Sequence, residues 1–156
     1  MRWLSCIAVL LFASSALADP PKHEWQPTTQ QRGQAAATGI HLETVDYGYP
    51  SQTFTFERQG RQLQMSYTDV APTGNANGET VVLLHGKNFN GDYWARTAGD
   101  LAEAGFRVVI PDQIGFGKSS KPLPFHYTFH GMALDTVQLL DHLEAETFHV
   151  VGHSMG

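Results

Sequence analysis

The fold is decided by the stretch Phe148-His149-Val150-Val151-Gly152-His153-Ser154-Met155-Gly156, in which an apolar run leads directly into a G-x-S-x-G pattern. The two glycines allow a sharp turn without side-chain clashes, and such a turn lifts the Ser154 hydroxyl clear of the strand tip. A turn serine with no chemical role is the alternative, because Gly and Ser are common in turns. The preceding strand is the context that a nucleophile turn requires, so we expect Ser154 to be a nucleophile.

A second motif has the same arrangement of apolar run and polar loop. The run Val81–Leu84 is followed at once by His85-Gly86-Lys87-Asn88. A loop in this position is expected to bind the oxyanion that forms when a serine attacks a carbonyl. We expect the His85 side chain to hold the loop by hydrogen bonds and the Lys87 side chain to face solvent.

Three short apolar runs predict strands that are covered on both faces: Val81–Leu84, Val108–Ile110 and Val150-Val151. Helical patterns separate them, so the order from residue 80 to 152 is strand, helix, strand, helix, strand. This alternation predicts a parallel sheet with right-handed crossovers, and ligands bind beyond the carboxyl ends of such strands.

Two helices are predicted from capping residues and apolar spacing. Asp92 is expected to cap the first helix and Gly105 to end it in a left-handed conformation. Thr128 is expected to open the second helix. The predicted buried positions are Trp94, Ala98 and Leu101 in the first helix, and Ala133, Val137, Leu140 and Leu143 in the second.

A β-hairpin is expected to precede this alternating region. Residues 53–58 and 62–70 each alternate between polar and apolar side chains, with Gly60 between them. The segment 72–78, which contains Pro, Gly and Asn, predicts a turn after the hairpin.

Composition and charge exclude several classes of protein. The chain has 156 residues, of which 42% are hydrophobic and 16% charged, so it can close a core and is not wholly disordered. Its net charge of -5 without any basic cluster makes nucleic acid an unsuitable partner. The single cysteine, Cys6, excludes an intramolecular disulfide and a thiolate zinc cluster.

The N-terminus has the pattern of a secretory signal. Arg2 precedes an apolar run over residues 4–13, and small residues up to Ala18 form a cleavage site. The run is shorter than the roughly 20 residues of a spanning helix, and Asp19-Pro20-Pro21 interrupts it, so no stable membrane anchor is expected. We expect an exported protein, periplasmic or secreted.

Three regions follow from these patterns. Residues 1–18 are expected to be a signal peptide. Residues 19–49 are expected to be a flexible leader, because its first half is rich in Pro, Gln, Thr, Ala and Gly and has only Trp25 as a large apolar group. Residues 50–156 are expected to be the folded domain. The sequence indicates no oligomeric state.

From about residue 50 onward the chain resembles the α/β-hydrolase superfamily, specifically its bacterial serine-nucleophile lipases, esterases and C–C hydrolases. The resemblance rests on the loop at His85 and Gly86, on Trp94, on the stretch 111–119 and on the serine turn. It implies an α/β fold in which a mostly parallel sheet with flanking helices is preceded by a β-hairpin. The stretch 111–119 also resembles haloalkane dehalogenases and epoxide hydrolases, but those families carry aspartate where this chain has a serine.

The resemblance also implies a role for each residue that matches the family pattern. Ser154 would attack the carbonyl of a small-molecule acyl substrate and form an acyl-enzyme, with no cofactor and no metal. The backbone N–H groups of Lys87 and Met155 would form the oxyanion hole. The remaining matched positions are His85, Gly86 and Asn88 in the loop that lines the pocket, and Gly152, His153 and Gly156 in the nucleophile turn.

Other interpretations of the polar residues are weaker. His153 is adjacent to Ser154, and neighbours on a sharp turn point apart, so we expect a packing residue rather than the base. His126 and His130 are four residues apart but lack the Glu of a zinc helix and a third ligand. The stretch 115–119 ends in Gly-Lys-Ser like a phosphate-binding loop, yet Asp112 stands where that motif needs glycine. Asp112 itself is expected to be a turn-forming side chain outside the catalytic triad.

In this superfamily an acid and a histidine follow the serine in the sequence. We therefore expect these 156 residues to be the N-terminal part of a larger hydrolase and to be inactive as a separate fragment. Cleavage of an ester, thioester, amide or activated C–C bond fits Ser154. The alternatives are a non-catalytic binding protein with this fold and an acyltransferase that uses the same serine.

Overall fold

A mixed five-stranded sheet lies at the centre of the described part of the chain. The computed structural model describes residues 38–156, all within one compact unit that spans Ala35–Gly156. The strands are β1 (Gln52–Arg58), β2 (Arg61–Val70), β3 (Thr80–Leu84), β4 (Arg107–Pro111) and β5 (His149–Gly152). Their order across the sheet is β1-β2-β4-β3-β5.

The strand directions confirm the expected fold. β3 pairs in parallel with both β4 and β5, as the strand-helix alternation predicts. β1 and β2 form the predicted antiparallel hairpin, and Gln59 and Gly60 at its turn have φ of 53° and 67°. Two positive φ values are typical of a tight hairpin turn. The hairpin also joins the sheet, because β2 pairs antiparallel with β4.

The first helix begins later than predicted. A short 3-10 turn, Gly91–Trp94, precedes α1 (Ala95–Glu103). Asp92 was expected to be the cap, but the Asn90 side chain caps this segment by accepting from the Asp92 N–H at 3.1 Å. The Asp92 carboxylate is already committed elsewhere, because it accepts from the backbone N–H of Gly48 at 2.8 Å.

The apolar face of α1 is close to the prediction. Ala98 is fully buried, while Trp94 and Leu101 are partly buried against the same core cluster. Ala102 is buried as well. Gly105 follows the helix with φ of 98°, which confirms the predicted left-handed position.

The second helix, α2, spans Phe129–His142 and begins at the predicted residue. The Thr128 hydroxyl caps it by accepting from the N–H of Gly131 at 3.0 Å. The predicted buried face is partly wrong, because Leu140 is buried but Ala133 and Val137 are exposed. They line a groove beside β5 of about 270 Å³, and the helix buries Asp135, Thr136, Leu139 and Leu140 instead.

The core lies on both faces of the sheet. Adjacent residues in a strand point to opposite faces. In β3, Val82 packs in the cluster that contains Leu139 of α2, whereas Val81 and Leu83 pack in the cluster that contains Ala98 of α1. The two helices therefore cover opposite faces, and the strand ends that carry the loops remain accessible.

The predicted signal peptide, residues 1–18, and the leader up to residue 37 lie outside the described residues. Within the described part of the leader, Tyr47 is only 7% exposed and packs on the domain. No helix among residues 38–156 is both long enough and apolar enough to cross a membrane.

Candidate active site

Ser154 lies in a strained turn at the carboxyl end of β5. Its φ is 58°, a left-handed conformation that costs a residue with a Cβ about 1–2 kcal/mol. Two backbone hydrogen bonds fix the turn: the Gly156 N–H donates to the carbonyl of His153 at 3.0 Å, and the His153 N–H donates to the carbonyl of Leu84 at 3.1 Å. The turn therefore holds an exposed serine at the tip of the strand.

The two glycines of the turn stand where the backbone is too close for a side chain. A Cβ on Gly152 would overlap the carbonyl oxygen of Gly156, and a Cβ on Gly156 would overlap that of Leu84. The sequence pattern thus has a steric cause, since only glycine lets β3 and the turn approach this closely.

The loop after β3 lies directly against the serine turn. A Cβ on Gly86 would stand 3.2 Å from the Cβ of Ser154 and 3.0 Å from Nδ1 of His153. The loop bends back through a hydrogen bond from the Phe89 N–H to the Gly86 carbonyl at 3.1 Å, with Asn88 at φ of 67°. The chain thereby brings the two sequence motifs together at one end of the sheet.

His85 is completely buried and fixes this loop to β4. Its Nε2 accepts from the backbone N–H of Gln113 at 3.0 Å, so the ring proton must be on Nδ1. Nδ1 can then donate to the carbonyl of Gly86, which is 2.8 Å away. Both ring nitrogens are used, and His85 therefore has no free nitrogen for proton transfer to a substrate.

His153 packs against aromatic rings on the loop and the 3-10 turn. Its ring stacks on Tyr93 with centroids 5.4 Å apart and meets Phe89 edge-on at 5.7 Å. Its Nδ1 is buried without a hydrogen-bond partner. Within residues 38–156 the hydroxyl of Ser154 also has no partner, so His153 is not hydrogen-bonded to it.

A cavity of about 520 Å³ opens beside the turn and the loop. Both residues whose N–H groups are expected to bind an oxyanion, Lys87 and Met155, lie on its wall. The rest of the wall is mainly apolar, and it includes Ile40, Phe116, Leu123, Phe129 and Met132. The size and lining are typical of a small-molecule site.

Asp112 has a larger role than a turn-forming side chain, and sequence analysis missed it. It is 1% exposed at the end of β4, where its carboxylate accepts from the Tyr47 hydroxyl at 2.9 Å. It also accepts from the N–H groups of Gly91 at 2.5 Å and Lys118 at 2.7 Å. A carboxylate directly after a fully apolar strand was the signal, because a buried charge must find donors.

The contacts of Asp112 join three segments around the site. Burial, and then the negative charge of Asp112, raise the pKa of Tyr47 well above its ordinary value. The Ser119 hydroxyl donates to the Asp112 carbonyl at 2.6 Å and closes the loop after β4. This loop contributes Phe116 to the cavity wall, so Asp112 positions one side of the cavity.

Metal ligands are not grouped anywhere in the described part of the chain. Between residues 38 and 156 no three side chains of His, Cys, Asp or Glu are placed to hold a metal ion. His126 and His130, which have helical spacing, are both exposed.

Comparison with known proteins identifies relatives that are hydrolases. The chain is 44% identical over 84 residues to a fluoroacetate dehalogenase of Burkholderia sp., and the match covers 51% of this chain and 27% of the relative. It is 39% identical over 87 residues to lipase 1 of Psychrobacter immobilis, covering 55% and 27%. A crystal structure of a "probable hydrolytic enzyme" from Pseudomonas aeruginosa PAO1 superposes with a TM-score of 0.72 at 49% identity, over 74% of this chain and 37% of that one.

The chain spans about a third or less of the length of the curated relatives it matches. A family model described as the alpha/beta hydrolase fold matches residues 79–156, which is half of the chain. The matched region contains β3, the His85 loop, β4 and the serine turn. With its sheet order, its helices on both faces and this match, the chain belongs to the α/β-hydrolase fold family.

Proposed function

We propose that the protein carrying this chain is a serine hydrolase that cleaves an ester, thioester, amide or activated C–C bond through an acyl-enzyme on Ser154. The observation that carries the proposal is the conformation of Ser154. A positive φ is strained for serine, and strain of this kind is kept where the surrounding structure and the function require it. The hydroxyl of Ser154 is exposed, and the next residue, Met155, lines a cavity that is suited to a small substrate.

The geometry supports a two-step reaction. Ser154 Oγ attacks the substrate carbonyl, and the oxyanion that forms accepts hydrogen bonds from the N–H groups of Lys87 and Met155. Collapse of this intermediate expels the leaving group and leaves an ester on Ser154, which water then hydrolyses. Each oxyanion donor is worth about 2.7–4 kcal/mol in the transition state. The contact of Gly86 with Ser154 supports this pairing of loop and turn.

Ser154 needs a base to remove its proton. His85 uses both ring nitrogens, and His153 is packed between aromatic rings. In this fold the acid and the histidine follow the nucleophile, so we propose that sequence C-terminal to Gly156 supplies them. Residues 1–156 by themselves are then expected to be inactive or to have only residual activity.

The identity of the nucleophile favours acyl transfer over other reactions of the family. Relatives of this chain include a fluoroacetate dehalogenase and an epoxide hydrolase as well as lipases. Dehalogenases and epoxide hydrolases resemble this chain over the stretch 111–119 but use aspartate as nucleophile. A serine alkoxide attacks a carbonyl and leaves an ester that water can cleave.

The experiment that tests the proposal is labelling with a fluorophosphonate, a probe that reacts with activated serines. We expect the protein that carries this chain to be labelled on the peptide containing Ser154, as identified by mass spectrometry, and Ser154→Ala to abolish the label. Ser51→Ala, which changes an exposed serine next to β1, serves as the control. Absence of label in a folded protein would contradict a hydrolase and favour a binding protein.

Acyl transfer to an alcohol is tested on the same enzyme. An activated ester is supplied with increasing concentrations of a primary alcohol, and the products are separated by chromatography. Free acid as the main product supports a hydrolase, whereas an ester of the added alcohol as main product indicates an acyltransferase.

We also propose that the protein is exported and cleaved after Ala18. The support is the charged, apolar and small-residue order of the N-terminus. N-terminal sequencing of the protein from its source should begin at Asp19, and an N-terminus at Met1 would contradict export by this route.

A further inference from the structure

The cavity beside Ser154 combines an apolar wall with two cationic side chains. Lys87 and Lys121 both line it, and no Asp or Glu is among the described residues on its wall. Apolar side chains that include Leu123 and Phe129 form most of the remaining surface, and these two are 83% and 72% exposed. Among residues 38–156 neither ammonium group is paired with a carboxylate, so the wall fits a ligand that is partly apolar and partly anionic.

Lys121 is a cation in a fixed position. Its Nζ donates to the carbonyl of Gly117 at 2.6 Å and to that of Ser119 at 3.0 Å. An ammonium has three donors, and one remains for a ligand. Burial lowers the pKa of Lys121, while the negative charges of Asp112 and Glu43 act in the opposite direction.

Asp112 attracts this cation from a distance but forms no ion pair with it. Its two carboxylate oxygens already accept from the Tyr47 hydroxyl and from the N–H groups of Gly91 and Lys118. The two carbonyl oxygens around Lys121 carry only partial charges, and neither Asp112 nor Glu43 forms an ion pair with it, so the ammonium remains available to pair with an anion.

Lys87 differs from Lys121, because its side chain is exposed and its ammonium group is carried on a flexible four-carbon stem. Among residues 38–156 its ammonium has no hydrogen-bond or ion-pair partner. Its backbone N–H is the proposed oxyanion donor, so its side chain starts next to the reacting carbonyl. By contrast, Lys118 on the loop after β4 lies 4.2 Å above the ring of Tyr47 and does not line the cavity.

We propose that this cavity selects carbonyl substrates that have an apolar body and carry a carboxylate, with the ammonium groups of Lys87 and Lys121 as its binding partners. This inference rests on the proposed function and names the substrate class of the same site. A volume of about 520 Å³ accommodates an acyl chain of several carbons together with its charged end.

The test measures binding without turnover. In the Ser154→Ala form of the protein that carries this chain, titration calorimetry compares monomethyl adipate with its amide, methyl 6-amino-6-oxohexanoate, which has the same size without the charge. We expect the acid to bind about tenfold more tightly than the amide, as a charge-assisted hydrogen bond provides. The preference should decrease as salt is added.

Three lysine variants decide whether the preference comes from the cavity. Lys87→Met in the same background should reduce the preference to about twofold, and Lys87→Arg should restore most of it. Lys118→Met removes the same charge from outside the cavity and should leave the preference unchanged. Melting curves of the three variants check that the fold is retained, and Lys87 is exposed, so its replacement is expected to be tolerated.

Three results would overturn the inference: equal affinity for acid and amide, no binding of either, or equal losses in Lys87→Met and Lys118→Met. The fluorophosphonate experiment separates this inference from the proposed function. Label on Ser154 without a charge preference overturns only the substrate class. A preference that depends on Lys87 in a protein that is never labelled overturns only the hydrolase.

Discussion

Two turns at the same end of the sheet use their hydrogen-bonding groups in opposite ways. Asp112 follows β4, is buried, and its carboxylate accepts from a hydroxyl and two backbone N–H groups. Ser154 follows β5, is exposed, has a positive φ, and its hydroxyl has no partner among residues 38–156. The carboxylate in the first turn has its hydrogen-bond donors within the protein, whereas the hydroxyl in the second turn is unused.

This difference indicates that the turn at Asp112 stabilises the fold, whereas the turn at Ser154 provides groups for a substrate. A buried carboxylate with all of its donors ties three segments together and leaves nothing for a substrate. A strained turn with a free hydroxyl contributes little to stability, and its unused groups are the ones a substrate can engage. His85 connects the two, since it binds the backbone next to Asp112 and the loop next to Ser154.

Removing the carboxylate should cause the largest loss of stability. In Asp112→Ala the Tyr47 hydroxyl and the N–H groups of Gly91 and Lys118 lose their acceptor inside the protein. We expect the free energy of unfolding to fall by about 3 kcal/mol or more, measured by urea denaturation. A fall of less than about 1 kcal/mol would show that the hydrogen bonds to the Asp112 carboxylate contribute little to stability.

The matched control for that change is Tyr47→Phe. It removes one of the donors and keeps the aromatic ring, so the carboxylate still accepts from the two backbone N–H groups. We expect a loss of about 1 kcal/mol. The comparison separates the cost of one hydrogen bond from the cost of losing the whole arrangement.

His85→Ala removes the two hydrogen bonds that connect the turn at Asp112 with the loop beside Ser154. The variant loses a buried ring and both of its hydrogen bonds, so we expect unfolding free energy to fall by about 2 kcal/mol. The loop at Gly86 is then no longer held against Ser154, and fluorophosphonate labelling should slow about tenfold. The two readouts are measured on the same preparation.

His85→Gln is the partner variant, because its amide oxygen can accept from the Gln113 N–H in place of Nε2. It should recover part of the stability that His85→Ala loses. If labelling of His85→Ala proceeds at the wild-type rate, the loop does not need this histidine for its position.

Much of the fold could be predicted from local sequence. The strands are apolar runs bounded by turn residues, and Gly60, Gly105 and Thr128 give direct signals for a hairpin turn, a helix end and a helix cap. These signals act over a few residues. The structure places each of them where the pattern predicts.

The errors in the two helices arise where a residue outside the helix determines the environment of a side chain. Asp92 is a good capping residue by type, but Gly48 donates to its carboxylate and Asn90 caps the segment. Ala133 and Val137 are apolar, yet they line the groove beside β5. Neither outcome is encoded within one helix, because each depends on residues outside that helix.

The same distinction holds for the site. The turn at Ser154 and the loop at His85 are local patterns, and their contact follows from β3 and β5 being neighbours in the sheet. The cavity and the role of Asp112 depend on Ile40, Tyr47 and other residues from separate segments. Spacing within the sequence carries no information about such contacts.

The smallest expected effect on stability concerns the turn at Ser154. Ser154→Ala and Ser154→Gly both remove the hydroxyl, but only alanine keeps a Cβ at φ of 58°. We expect alanine to leave the unfolding free energy within about 0.5 kcal/mol of wild type, because the hydroxyl has no partner in the described residues. Glycine relieves the left-handed strain and, after its greater unfolded-state entropy is subtracted, should be about 0.5–1 kcal/mol more stable than alanine. A glycine variant that is about 0.5–1 kcal/mol less stable than the alanine variant in urea denaturation would mean that the turn holds no strain, and the main support for Ser154 as a nucleophile would then be lost. A glycine variant that is more stable than alanine and is never labelled would show that the strain lies in the backbone at position 154. The serine would then be kept there at a cost in stability because its hydroxyl reacts.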